Sequence, residues 1–498
     1  MPDSSSSGRL RFDVTFPQRR AAESVDEDPV LRIAVIGNFS GDGPPPAGAL
    51  PAPRVDIDSL DTVLAGWQAV VEVSGPASAA AGSPTSLTLR TLDEFHPDSL
   101  LARVPALSEL MHLRARLQAP STAAASLAEW RSRAVATPTP SSAPVPPAAE
   151  SPGDTLSRLL GGSIAKPAAP APRPPPAGPA GLVERLVRDA TAGSATSVPS
   201  EEQRAALAQV ETEIGQRLRS VLHAPRFQAL EAAWRGLDRL VRDADDTVHL
   251  HAINARPLDL VSDIDGAVSP LASPLGRRLE ALAPSLIVVV QAFDASSLPA
   301  LATFGRLAAA LGTALVAGAS PSLAGCTSFA RTPHAWDWKA PSGAAADAFK
   351  SLRASPEAAH LGLALPRFLL RQPYGAGSDP VTGLAFEEIP DSGDSECFLW
   401  GNAALLCAQV LITAYVNDGS VDNASSGRVE GLPVHTPRGG GGTEVTPPAE
   451  AWLSERDADT LLRCGLIPVL SVRGSDAVLL PSLRSLAELA AALPFRQP

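Results

Sequence analysis

Leu286-Ile287-Val288-Val289-Val290 is the stretch that decides the fold. It is apolar without alternation and rich in β-branched residues, the composition of a strand buried on both faces. Leu298 to Leu311 follows with helical spacing, and Thr313-Ala314-Leu315-Val316-Ala317 is a second apolar strand. Strand, helix, strand in that order predicts a parallel pair and places the chain in the α/β class. A further strand, Leu361 to Leu365, and an apolar helix, Asn402 to Tyr415, extend the unit. Upstream, Leu207, Val210, Ile214, Leu218 and Val221, then Phe227, Leu230, Trp234, Leu237 and Val241, recur at three-and-four spacing. They predict two consecutive helices, an antiparallel pair across His223-Ala224-Pro225.

Toward the start, Arg11 to Phe16 alternates like an amphipathic strand, and Leu31 to Ile36 runs apolar like a buried one. Val55-Asp56-Ile57-Asp58 leads into a helical stretch, then into strand-like Ser86 to Arg90. Leu100, Leu101, Val104, Leu107, Leu110 and Leu117 predict one helix, with Asp98 near its start where a carboxylate suits the helix dipole. A small α/β domain is therefore expected over 1–120. From about Ala136 to Pro179 proline and alanine dominate, a composition of extended spacers, and 121–180 is taken as the linker. Within it, Asp154 to Gly162 has the look of a remnant or a docking turn. The rest, 181–498, is expected as a larger α/β domain opened by the helical pair, so the whole is a mixed α+β chain in two folded parts.

At 498 residues, two cores are affordable, and 49 prolines are roughly twice ordinary usage, which fits the spliced-in spacer. A formal charge of −12 argues against a nucleic-acid partner, because phosphate tracking needs a basic surface. The longest apolar run falls far short of the ~20 residues that span a bilayer, and no signal-peptide pattern opens the chain. Membrane insertion is not expected, and a cytoplasmic location is. Cys326, Cys397, Cys407 and Cys464 are widely spaced with no CxxC pair, as thiols in a reducing compartment rather than a metal or disulfide set.

The most enzyme-like feature is Gly37-Asn38-Phe39-Ser40-Gly41-Asp42-Gly43 after a strand, where backbone amides could cradle a phosphate. It lacks the Walker lysine, and Pro44-Pro45-Pro46 works against a following helix, so a plain loop is the better expectation. Gly439 to Gly442 suits a flexible surface loop. No Gly-x-Ser-x-Gly elbow is present, and His223, His360 and His435 suit structural roles. Glu387 and Glu388, adjacent on an extended segment, face opposite ways, and salt bridges suit them better than joint catalysis. Trp234, Trp336, Trp338 and Trp400 suit core or interface anchors. No catalytic residue, cofactor or metal is assigned.

Phe227-Gln-Ala-Leu-Glu-Ala-Ala-Trp-Arg-Gly-Leu237 resembles the signature of the large contractile-sheath subunit of the type VI secretion system, TssC or VipB. So do Leu363 to Gly375, Phe386-Glu-Glu388, Leu399-Trp-Gly-Asn402, Gly431-Leu-Pro-Val-His435 and Leu453-Ser-Glu455, in the same order. The first part is similar to the small subunit, TssB or VipA, through Ile33 to Gly41, Val55 to Asp58 and Leu92-Asp-Glu-Phe-His-Pro-Asp98. The resemblance implies a fused small and large subunit, with Phe227, Trp234, Arg235, Pro366, Arg367, Arg371, Tyr374, Glu387, Trp400 and Asn402 as core or interface residues.

The resemblance further implies a structural protein, not an enzyme, that polymerises with itself or other sheath subunits. Such a sheath surrounds an inner tube protein on a baseplate, contracts to propel the tube, and is dismantled by the AAA+ unfoldase ClpV. Leu182, Val183, Leu186 and Val187 form the apolar stripe expected to enter the unfoldase groove. The segment between Asp265 and Leu286 lacks the Gly-Gly-x-Pro and aromatic residues of large subunits, and the sequence ends at Pro498, where the family continues into strands shared between neighbours. The large-subunit part is thus expected to be shortened at its C-terminal end, with altered interlocking. A linker of roughly 45 residues spans ~35–40 Å as a flexible coil, enough to allow the two parts to meet. An accessory protein that caps, nucleates or regulates a sheath is the second expectation, and an α/β nucleotide-binding enzyme the third.

Overall fold

The computed structural model describes residues 29–44, 50–73, 85–136, 199–390, 395–436, 446–489 and 491–498. Arg11 to Phe16, Asp154 to Gly162, Leu182, Val183, Leu186, Val187 and Gly439 to Gly442 lie outside them.

In chain order the first stretch forms β1 (Leu31–Gly37), β2 (Arg54–Val55), α1 (Leu60–Gly66), β3 (Ala69–Val73), β4 (Thr85–Leu89), α2 (Pro97–Arg103), α3 (Pro105–Gln118) and α4 (Ala123–Ala136). Where one helix was expected across Leu100 to Leu117, there are two. Val104, held extended at φ −81° and ψ 114°, separates them, because the residue before a proline is pushed out of the helical region and Pro105 then suits the first helical position. The helix α4 falls inside the span assigned to the linker. Its Ala, Leu and Arg content favours helix, and Leu127 and Trp130 pack on the core.

The second stretch opens with α5 (Glu201–Leu222) and α6 (Pro225–Asp243), followed by β5 (Val248–Asn254), α7 (Pro274–Leu282), β6 (Leu286–Phe293), α8 (Leu298–Leu311) and β7 (Ala314–Ala319). Then come α9 (Ala344–Arg353), β8 (Leu361–Leu365), β9 (Phe368–Leu369), β10 (Trp400–Gly401), α10 (Ala404–Asp418), β11 (Gly427–Val429), α11 (Glu455–Arg463), β12 (Ile467–Pro468), β13 (Leu470–Ser471) and β14 (Val478–Leu480). Both expected helices form, but α5 lies chiefly against α3 of the first stretch rather than against α6.

The strand–helix–strand unit β6–α8–β7 is parallel as expected, with Leu286 opposite Ala314. The surprise is its neighbour. The central sheet runs β12-β8-β7-β6-β1-β5-β2, so the strand from the first stretch is interior to the sheet of the second. Along its whole length β1 pairs in parallel with β5, Leu31 opposite Val248 through Gly37 opposite Asn254, and on its other side Ile33 to Ile36 pair with Leu286 to Val289. The two stretches are therefore not separate domains with separate cores.

Helices cover both sheet faces, which is why these strands are apolar throughout. Leu31, Ile33 and Val35 turn to a core shared with Leu250, Val288, Trp234 and Leu406, whereas Ala34 and Ile36 turn to one shared with Ile253, Ile287, Leu301 and Phe304. The hairpin β3–β4 is antiparallel and packs its apolar face on the first core with α6, while β11, β14 and β13 form a small antiparallel sheet at the side. Among the described residues no helix is long and apolar enough to cross a membrane.

Candidate functional site

The site is the seam where the first stretch meets α6. Phe227, Leu230, Trp234 and Leu237 share one face of that helix, and all are buried. The Trp234 ring stands 5.1 Å from Phe39, edge-on at 63°, and 5.7 Å from Trp67; its indole N–H donates to the Phe39 carbonyl at 2.9 Å. Two turns earlier, Phe227 meets Phe95 edge-to-face at 5.5 Å. Edge-to-face pairs at these spacings contribute about 0.5–1.5 kcal/mol beyond burial.

The glycine loop after β1 serves this seam. The amides of Phe39 and Ser40 both donate to Asn254 Oδ1, at 3.0 and 3.1 Å, and those of Asp42 and Gly43 to the Val70 and Ser40 carbonyls, so these four donors are engaged inside the protein. Gly41 has φ 64°, and a Cβ there would lie 2.4 Å from the Val70 carbonyl oxygen; only glycine fits. Asp42 then pairs with Arg226 at 2.9 Å.

Below the aromatics lies a buried charge cluster. Arg371 donates to Glu231 Oε1 at 2.8 Å and grips Glu388 with both terminal nitrogens, at 2.7 and 3.1 Å. Arg235 donates to Glu231 at 2.7 Å and to the Tyr374 hydroxyl at 3.0 Å, and the Tyr374 amide donates to Glu388 at 2.8 Å. Two guanidinium groups thus neutralise two carboxylates. Burial alone raises the Glu388 pKa, but the Arg371 charge and the hydrogen bonds to the carboxylate outweigh it and hold the group down at about 2. Burial and the Glu231 charge push the Tyr374 phenol up. A buried pair of this kind adds little net stability over an apolar packing, yet removing one partner is severe.

Polar contacts stitch the rim. Asp98 accepts from the Thr382 amide and hydroxyl at 2.9 and 2.7 Å, His96 sits edge-on to Tyr374 at 5.0 Å, and Arg114 pairs with Glu211 at 2.7 Å.

Of the residues expected from sequence, Phe227, Trp234, Arg235, Arg371 and Tyr374 converge on this seam. Glu387 is beside it, accepting from the Ala376 amide at 3.3 Å. Pro366, Arg367, Trp400 and Asn402 belong to a second cluster. Arg367 pairs there with Glu450 at 2.5 Å and Glu396 at 3.0 Å, with its guanidinium 5.9 Å from the Trp400 ring, while Pro366 follows a cis peptide bond and Asn402 Oδ1 accepts the Ala404 amide at the start of α10. Trp336 is no core anchor: it is 65% exposed, stacked on His334 at 4.2 Å. Glu231 and Asn254 were missed. Glu231 carried a signal, a carboxylate lying on the apolar face between Phe227 and Trp234.

Residues 204–487, more than half of the chain, match the model of the VipB family, described as EvpB/VC_A0108, tail sheath N-terminal domain. The chain belongs to this tail sheath family. Residues 9–133 match a second model, described as type VI secretion system, VipA, VC_A0107 or Hcp2, and that match reaches into α4. A relative is the type VI secretion system sheath protein TssC1 of Pseudomonas aeruginosa PAO1, 28% identical over 326 residues, 58% of this chain and 65% of the relative. The chain spans about 65% of that protein's length. The seam is therefore the contact between a VipA-like stretch and a VipB-family stretch carried in one chain, and both motif series meet in it.

Proposed function

We propose that the chain is a structural subunit of a type VI secretion system contractile sheath, its VipA-like and VipB-family stretches making one protomer that polymerises around an inner tube and contracts to propel it. The observation that carries this reading is the seating of β1 between β5 and β6. A strand held along its full length by β5 and over Ile33 to Ile36 by β6 joins two subunit-sized pieces into one rigid body, and a rigid body is what a lattice with two packings needs. The work is mechanical; in the loop after Gly37 the Phe39 and Ser40 amides donate to Asn254 and those of Asp42 and Gly43 to backbone carbonyls, and no residue is assigned a catalytic role. The partners in this reading are other sheath subunits, the inner tube protein, the baseplate and the unfoldase ClpV, all in the cytoplasm.

Electron microscopy of the purified protein tests it. Tubes with a helical lattice support a sheath subunit; monomers or dimers that only bind the end of a pre-made sheath transfer the reading to an accessory, capping role. For the stripe Leu182, Val183, Leu186 and Val187, a peptide of residues 176–195 is expected to bind the cognate unfoldase and to lose binding on Leu186→Asp. Equal binding of both peptides removes that part.

A further inference from the structure

We infer that the VipA-like stretch occupies the sheet of its own chain, so that the full-length protein is a closed protomer with no vacant place for a separate VipA-like subunit. The inference rests on the sheath reading above and names which partner that protomer excludes.

Two observations carry it. The first is that the slot is filled. A separate small subunit would have to offer its own apolar strand between β5 and β6, where Leu31, Ile33, Ala34, Val35 and Ile36 are already fully buried, paired with β5 throughout and with β6 from Ile33 to Ile36. A visitor would need to extract that strand together with Phe39, locked under Trp234.

The second is where the chain leaves one stretch and enters the other. Along α5, Arg131 of α4 pairs with Glu202, the Trp130 indole donates to Gln209 at 3.0 Å, and Gln203 donates to the Leu117 carbonyl at 2.6 Å. The end of the first stretch and the start of the second thus lie on the same side of the molecule. Roughly 60 residues join them, and the entropy of closing such a loop grows only with the logarithm of its length. Tethering of this kind gives effective concentrations on the order of mM, against micromolar for a stretch from another copy, so the own stretch is favoured on the order of a hundredfold or more.

Cysteine pairs across the seam test it in the full-length chain. Arg131→Cys with Glu202→Cys is one pair, and Asp98→Cys with Thr382→Cys is a second, so that one failed variant does not decide the matter; all four positions are solvent-accessible. Each double variant, treated with a short bis-maleimide, is expected to gain an internal link above the background of the half-buried Cys397 and Cys464 in the unsubstituted chain. Two single variants with different tags, co-expressed in one cell, are expected to give a chain-to-chain link at about a hundredth of that yield. Chain-to-chain linking as abundant as internal linking overturns the inference, because the strand is then exchanged between copies. So does absence of internal linking in both double variants. Neither outcome touches the sheath reading, which is decided separately by whether tubes form.

Discussion

The indole N–H of Trp234 donates to the carbonyl oxygen of Phe39 at 2.9 Å, and both residues are wholly buried. One residue belongs to the helix that carries the VipB-family signature, the other to the loop that follows the VipA-like strand. The bond turns a hydrophobic contact between two stretches into a registered one, because a buried carbonyl accepts only where a donor is aimed at it.

Trp234→Phe keeps an aromatic ring but strands that carbonyl, and should lower stability by about 1–3 kcal/mol. Trp234→Ala opens a cavity as well and should cost about 3–5 kcal/mol. Urea midpoints compared at equal slope read both. If the phenylalanine variant matches the parent, the hydrogen bond contributes nothing and the contact is packing alone.

Removing one member of the buried charge cluster should be worse than removing a matched pair. Arg371→Met leaves Glu231 and Glu388 short of a cation and is expected to cost about 3–5 kcal/mol. Adding Glu388→Gln to it should recover part of the loss, a positive coupling in a double-mutant cycle. Strict additivity in thermal unfolding would mean that the two side chains do not act as a unit.

Acid should weaken the seam through Glu388. Its pKa is depressed in the folded protein, to about 2 from an ordinary 4.5, so its contribution is present above pH 4.5 and is lost as the pH falls from there toward 2. Denaturant midpoints measured from pH 6 downward, at roughly half-unit steps, should fall more steeply for the parent than for Glu388→Gln. Parallel profiles would show that this carboxyl is not what acid titrates.

Gly41→Ala is expected to cost more than the usual substitution at a loop glycine. The positive φ adds about 1 kcal/mol for a residue with a Cβ, and the Val70 carbonyl in its path is the acceptor of the Asp42 amide at 2.8 Å, so it cannot retreat without giving up that bond. A loss of about 2–4 kcal/mol in urea unfolding is the expected result. A loss under about 1 kcal/mol would show that the loop reshapes without strain.

Local chemistry made much of this legible. The run from Leu286 to Val290, the helical spacing after it and the strand at Ala314 announced a parallel unit, because a doubly buried strand has no polar face to display. The motif residues Phe227, Trp234, Arg371 and Tyr374 were picked out; the first two lie against Phe95 and Phe39, and the other two bind Glu388. Their partners were not legible. Nothing in the apolar run Leu31 to Gly37 says that its neighbours begin at Val248 and Leu286, since backbone hydrogen bonding is the same for every strand and only packing selects among them. Burial of charge was equally hidden: a salt bridge was expected for Glu388, but neither its burial nor its partner was legible, because a guanidinium such as Arg371 can stand anywhere in the chain. The helix at Ala123–Ala136 was taken for spacer because alanine abundance serves both, and Leu127 and Trp130 tip the balance only through a core that the sequence does not display.

The interior place of β1 also sets a timetable for synthesis. The ribosome makes this strand first, yet its far neighbour β6 emerges roughly 250 residues later, which at 5–20 residues per second is on the order of tens of seconds. Until β5 emerges, roughly 210 residues after it, a strand with apolar side chains on both faces has no parallel partner in its own chain, and the slot is closed only when β6 follows. Newly made protein therefore passes through a period in which its aggregation hazard is greatest, before the sheet is complete, and translation speed and chaperone supply are expected to affect its yield.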